Sequence, residues 1–394
     1  MNLEENSLQK TPCEELLAQL LASYWHESTA IPAVDFLRRI DPQGWRRTLA
    51  YHGLAGVLLR YCSPQLDALN RACLVDIVRE ENEKNVMAAM QHLADLRLIT
   101  AAYGQARLEW MLLKGLGLSQ QIYNDPFIRP ASDIDILVAP SAVADAARVL
   151  TENGFIPVDS GFLVGSLTRR QMMAATHQAL LRSPSGVLIE LHWRTGTAID
   201  GFVDLLASAS PMKIHQTEVN VVGPEHLRSY VAVHAAASLC MKWKWGVDLK
   251  FMPDRFPIRK QYPQAWEGIT IGLMASALEQ PGGKRLRTHG KVLQRATRIY
   301  NSRKAPAAAS SNGVLADLSG RLDWHLYLLG LESGARNKLG YLRRHMTSVN
   351  PKRGQLLGQW LAALPGGALL FKLARRLVNL KNSRRDATRM GARK

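Results

Sequence analysis

Two aspartates, Asp133 and Asp135, stand two positions apart in the run Asp-Ile-Asp-Ile-Leu-Val (133–138). The apolar residues of that run read as a buried strand. Side chains two apart on a strand share one face, so both carboxylates point the same way. Two carboxylates aimed at one spot repel and raise each other's pKa unless a cation lies between them. A bound divalent metal answers that need, and hard oxygen ligands suit Mg²⁺, with Mn²⁺ as the alternative.

Other groups that could serve the same chemistry lie on both sides. Lys114-Gly115 falls where a strand turns into a helix. There a glycine lets the backbone approach a phosphate, and the helix N-terminus offers N–H donors. Arg129 can grip phosphate oxygens bidentately. In Glu-Leu-His-Trp (190–193), Glu190 and His192 share one strand face, with Leu191 and Trp193 on the other. If that strand pairs beside 133–138, Glu190 becomes a third carboxylate. Three such groups can hold two metals, which activate an attacking hydroxyl and stabilise a leaving pyrophosphate in an in-line displacement. Each residue also has a plainer reading. Asp133 and Asp135 can be a solvated strand end, Glu190 an edge charge and Lys114 a strand cap. Arg129 can pair with Asp133, and His177 and His192 can be ordinary half-buried histidines.

The elements that must position these groups follow from periodicity. Apolar residues recur at three- and four-residue spacing over 14–25, 44–62 and about 67–103, which predicts three helices. From about 107 the pattern becomes strand-like. A strand over Leu108–Leu113 precedes a short helix over Leu116–Tyr123, stopped by Asn124-Asp125-Pro126. The Asp-x-Asp strand comes next, then a helix from Pro140-Ser141 to about Glu152, with a stop at Asn153-Gly154. His177–Leu181 and Val187–Trp193 flank Ser183-Pro184-Ser185-Gly186 as a β-hairpin. A further strand pair falls around 213–222. Helical spacing returns after Gly223-Pro224, and residues 305–312 have the composition of a linker.

Charge is unevenly spread. Residues 251–394 hold 27 Lys+Arg against 7 Asp+Glu, whereas residues 1–250 hold 23 against 26. Such asymmetry fits either a polyanionic partner, nucleic acid or an acidic membrane surface, or a solvated tail. The four cysteines show no paired spacing, which argues against a zinc site or disulfide framework and for a reducing, cytoplasmic setting. The first residues lack the apolar core of a signal peptide. No run of about twenty apolar residues predicts a spanning helix. Leu356–Phe371, broken by Pro365-Gly366-Gly367 and followed by the basic Lys372–Arg385, suits either a membrane interface or docking on the rest of the protein.

Taken in order, Leu-Lys-Gly (113–115), Arg129, Asp-Ile-Asp-Ile-Leu-Val (133–138), His177 and Glu-Leu-His-Trp (190–193) resemble an uncharacterised bacterial nucleotidyltransferase family of the DNA-polymerase-β-like superfamily. His234, Trp243, Trp245 and Asp248 are similar to a later His…Trp…Asp helix of that family. The resemblance covers roughly residues 10–255. It implies metal ligation by Asp133, Asp135 and Glu190 and nucleotide phosphates at Gly115. The chain departs from the superfamily pattern twice. Gly115-Leu116-Gly117 replaces the usual Gly-Ser or Gly-Gly, and the third carboxylate is Glu rather than Asp.

The expected fold is α+β, a small mixed β-sheet nucleotidyltransferase core flanked by helical N- and C-terminal regions. The expected division is a helical region over 1–104, the core over 105–222, a helical region packing on it over 223–280, and a basic region over 281–394. The expected activity is metal-dependent transfer of a nucleoside monophosphate from an NTP, ATP among them, to a hydroxyl-bearing acceptor, with release of pyrophosphate. Asp133, Asp135 and Glu190 would be catalytic and hold Mg²⁺ or Mn²⁺, while Lys114, Gly115, Arg129 and His192 would contact the nucleotide. The acceptor is open among small molecule, sugar, peptide and RNA. Two alternatives stand beside this one: a toxin-like enzyme modifying RNA, and a non-catalytic nucleotide-binding scaffold with a degenerate core.

Overall fold

The computed structural model describes residues 10–25, 34–158, 176–201, 203–252 and 262–277, with positions 32, 173, 256, 257, 296, 299, 327 and 331. The expected linker at 305–312, the segment 356–385 and nearly all of the basic region lie outside the described residues.

Six helices come first: α1 (Pro12–Trp25), α2 (Val34–Arg38), α3 (Pro42–His52), α4 (Ala55–Tyr61), α5 (Ser63–Ala68) and α6 (Ala72–Gln105). The side chain of Asp41 caps α3 by accepting from the amides of Gln43 and Gly44, and Pro42 occupies its first turn, as helix N-termini favour. The stretch 44–62 is therefore not one helix. Gly53 closes α3 with its amide on the Leu49 carbonyl, and α4 restarts at Ala55. Apolar spacing continues across the break because both pieces bury their apolar side on the same core.

The sheet follows, in chain order β1 (Trp110–Leu112), α7 (Leu116–Tyr123), β2 (Asp133–Val138), α8 (Val143–Glu152), β3 (Ile156–Pro157), β4 (Gln178–Arg182), β5 (Leu188–His192), a 3₁₀ turn (Ala198–Gly201), β6 (Ser210–Ile214) and β7 (Thr217–Val221). The strands order as β3-β4-β5-β2-β1-β7-β6, in one mixed seven-stranded sheet. The hairpin β4–β5 and the pair β6–β7 are antiparallel, while β2 runs parallel to β5. The edge strand β3 was not anticipated, and α8 begins at Val143, three residues beyond Pro140. Three helices close the described chain: α9 (Pro224–Ala237), α10 (Lys244–Phe251) and α11 (Gln264–Ala277). The architecture is mixed α+β, with helices on both sides of the sheet in sequence.

Two apolar cores lie on the two faces of this sheet. Leu112, Ile134, Ile136, Ile189 and Leu191 pack with α8 and the second half of α6. Met111, Leu113 and Leu137 pack instead with the N-terminal helices and with α9–α11. At 34 residues, α6 is about 50 Å long and contributes to both cores, Leu74 and Val78 to one and Leu96 and Tyr103 to the other. The alternation along β2 settles the orientation of its acids. Ile134 and Ile136 face α6 and α8, so Asp133 and Asp135 face α9 and α10, alongside Leu137.

One polar strap joins α1 and α3 to the loop before α10. His52 on α3 accepts the Trp243 amide at Nδ1 (3.2 Å), leaving Nε2 to donate to Glu14 Oε1 of α1 (3.0 Å). The loop just before α10 is held by this contact. Trp243 is buried and Phe251 packs on Tyr24, Tyr61 and Tyr123, so these aromatics belong to the core.

Candidate functional site

Strand pairing brings the acids together. In the parallel ladder Asp133 stands opposite Leu188, Asp135 opposite Glu190 and Leu137 opposite His192. Asp135, Glu190 and His192 offer ligand atoms that all lie within 4.8 Å of one another. His192 Nε2 lies 3.0 Å from Asp135 Oδ1 and 3.2 Å from Glu190 Oε2. Lys114, two residues past the end of β1, reaches the same Asp135 Oδ1 at 2.7 Å.

These contacts set the charges. Burial opposes ionisation of Asp135, but Lys114 and then His192 outweigh it and hold its carboxyl well below the usual carboxylate range. Burial likewise opposes protonation of His192, yet its hydrogen bonds to Asp135 and Glu190 hold its pKa above the ordinary histidine value. Asp133 moves the other way. Its carboxyl is pushed up by burial and by the charge of Asp135, with Glu190 adding to the effect. Asp133 is thus a carboxylate short of positive charge.

The same site leaves polar atoms without partners. Lys114 and His192 both use Oδ1 of Asp135, and its Oδ2 is buried with no hydrogen-bond partner. Buried polar atoms are nearly always satisfied, so this oxygen fits a ligand that protein atoms do not supply. A hard divalent cation beside Asp135 and Glu190 meets that description; Asp133 is not part of that cluster.

The turn after β1 has its own constraint. Gly115 takes φ 62° and ψ −126°, a combination open to glycine but not to residues with a side chain. An added Cβ would sit 3.4 Å from Ala131, so the turn lies against the loop that leads into Asp133. At Gly117 a Cβ would approach Leu112 and Val221 to 3.0 Å. Close packing of α7 on the sheet accounts for a small residue there.

Arg129 is placed differently from Lys114. Its Nε lies 2.6 Å from Asp248 Oδ2 on α10, and its guanidinium stacks 4.2 Å above the Trp245 ring. The pairing with Asp133 that the sequence allowed is not the one formed. Tyr123 donates to the other oxygen of Asp248 at 2.8 Å. Arg129 Nη2 is buried without a partner. His234 and Asp248 occupy two helices, α9 and α10, rather than one, and His234 packs 4.2 Å from Trp245.

Around the far side, His177 stacks on His192 at 5.8 Å between ring centroids. The turn after β5 fixes that stack. Asp200 accepts from the amides of Thr195 and Gly196 and from the Thr195 hydroxyl. Burial, with His192 next, lowers the pKa of His177 to about 4, so its ring is neutral at neutral pH.

The family model described as "uncharacterised nucleotidyltransferase" matches residues 39–264. The chain belongs to that family. The match spans more than half of the chain and runs from before α3 into α11, so it includes the sheet, the acids and Lys114. Membership assigns nucleotide transfer as the class of activity and an NTP as the class of substrate. No curated protein matches the chain. In this family member the possible metal cluster of Asp135, Glu190 and His192 is part of the matched region. No helix among the described residues is long and apolar enough to cross a membrane.

Sequence reasoning did not find Lys244. It enters the site from α10, donating to the Pro130 carbonyl at 2.9 Å. Its only local signal was a lysine between two tryptophans.

Proposed function

We propose that this protein is a metal-dependent nucleotidyltransferase that moves a nucleoside monophosphate from an NTP to a hydroxyl-bearing acceptor. The observation that carries the reading is the buried, partnerless Oδ2 of Asp135, beside Glu190 in the parallel ladder. Asp133, Asp135 and Glu190 would hold the Mg²⁺ or Mn²⁺. The ion, when bound, would lower the barrier by neutralising charge on the phosphates and acidifying the attacking hydroxyl.

The chain's own residues take the remaining tasks. Lys114 and His192 hold Asp135 by one oxygen and so keep the other free. Glu190 accepts the proton of the acceptor hydroxyl as its oxygen bonds to the α-phosphorus. The bond from that phosphorus to the α,β-bridging oxygen breaks, and pyrophosphate leaves with the electron pair. Gly115 lets the phosphates lie close to the backbone at the start of α7. Arg129 contributes through Asp248, by holding α10 against the site, with its Nη2 the donor left for phosphate. A cytoplasmic setting, where NTP and Mg²⁺ are plentiful, suits this chemistry.

The test is incubation with each NTP in turn, labelled at the α-phosphorus or the γ-phosphorus, with Mg²⁺ or Mn²⁺ and a cell extract. Transfer of the α-label alone to an acceptor, with labelled pyrophosphate from the γ-label, supports the reading. Binding of NTP with no transfer to any fraction would instead favour a scaffold that holds nucleotide.

A further inference from the structure

Three cations stand close to the acids, and two of them are engaged. Lys114 is ion-paired with Asp135 and Arg129 with Asp248. Lys244 is not in an ion pair among the described residues. Its amine rests on a neutral acceptor, the Pro130 carbonyl. An ammonium has three donors, and a carbonyl occupies one of them.

Its location is fixed from three sides. The Arg129–Asp248 pair and the His52–Trp243 contact hold α10 and the loop before it. The stem of Lys244 packs on the backbone at Gly53, where an added Cβ would meet its Cδ at 3.1 Å. The amine touches Pro130, whose loop continues through Ala131 against Gly115 and into Asp133. Lys244 is therefore a half-buried amine beside the loop that runs from Pro130, past the Gly115 turn, to the first acid of β2. The surroundings also leave its charge poorly compensated. Burial, then Arg129 and Lys242, lower its pKa well below the ordinary lysine value, while Asp248 and Asp133 act in the opposite direction.

We propose that Lys244 is a substrate-contacting residue that binds the β- and γ-phosphates of the incoming NTP, exchanging the Pro130 carbonyl for phosphate oxygen. This rests on the nucleotidyltransferase reading of the site and adds to it the residue that distinguishes triphosphate from monophosphate. A phosphate is a far better partner for an ammonium than a carbonyl, since charge-assisted hydrogen bonds are roughly twice as strong as neutral ones. The Pro130 contact holds the amine in place until substrate arrives.

The test compares the full-length protein with Lys244→Gln, which keeps a donor for Pro130 but removes the charge, and with Lys244→Arg. Affinities are measured by calorimetry with Mg²⁺ for the four α,β-methylene nucleoside triphosphates and the four monophosphates. Lys244→Gln is expected to weaken triphosphate binding by about ten- to a hundredfold while monophosphate binding changes less than about twofold. Lys244→Arg should retain most of the triphosphate preference. A purely structural lysine would lower both affinities together, with a lower melting temperature, and that result overturns the proposal. So does a triphosphate preference left intact in Lys244→Gln. If the unaltered protein binds no triphosphate more tightly than its monophosphate, the nucleotidyltransferase reading fails and this inference with it.

Discussion

Arg129 Nε lies 2.6 Å from Asp248 Oδ2, in a pocket where both side chains are nearly inaccessible to solvent. The pair links the loop entering β2 to α10, so it fixes the acids relative to the helix that carries Lys244. Removing one partner strands the other charge in the interior, which costs about 3–5 kcal/mol. Asp248→Asn should therefore lower the unfolding free energy from urea denaturation by that amount. An unchanged unfolding free energy would contradict this role for the pair.

Asp133 is a carboxylate that the fold tolerates rather than rewards. Its folded pKa is raised, so the folded state holds a proton more readily than the unfolded chain. The metal-free protein thus loses stability as pH rises from the ordinary value of 3.8 through the raised one, and the penalty persists above it. Asp133→Asn removes it. The metal-free variant should melt a few degrees higher at pH 7 and lose transfer activity by about a hundredfold or more. A lower melting temperature would argue that Asp133 is paired in the resting site.

His177 has the opposite dependence. With a folded pKa of about 4 against an ordinary 6.5, it resists protonation in the fold. Stability is lost as pH falls from 6.5 toward 4, by up to about 3 kcal/mol. Denaturation across that range should show this slope in the native protein and a shallower one in His177→Gln. Parallel curves would place the titration elsewhere.

Gly196 takes φ +72°, and a Cβ there would lie 2.6 Å from the His177 ring. Gly196→Ala should cost about 1–3 kcal/mol through backbone strain and crowding. Because His177 stacks on His192, activity should fall as well. Unaltered stability on chemical denaturation would show that the turn can open without consequence.

How far the sequence revealed the site depended on the range of each contact. Strand parity put Asp133 and Asp135 on one face, and the same parity put Glu190 beside His192. Only the β2–β5 ladder was needed to join the two pairs. Local stop signals located α7 and the β4–β5 hairpin for the same reason. Asp133 is the partner of Arg129 that nearness in sequence offers, whereas Asp248 arrives from 119 residues away. Lys244 was invisible because its place depends on His52, Pro130 and Asp248, on three separate elements. The break at Gly53 was hidden because helices on either side bury into one core, so apolar spacing ran through it.

The central claim is that the acids of β2 and β5 are a metal centre. Titration of Mn²⁺ into the full-length protein, followed by calorimetry in the presence of an α,β-methylene NTP, tests it most directly. The native protein should bind the ion stoichiometrically, with Glu190→Gln and Asp135→Asn weakening it at least about tenfold. Equal Mn²⁺ binding by the native protein and both variants, or no binding by any of them, would contradict it.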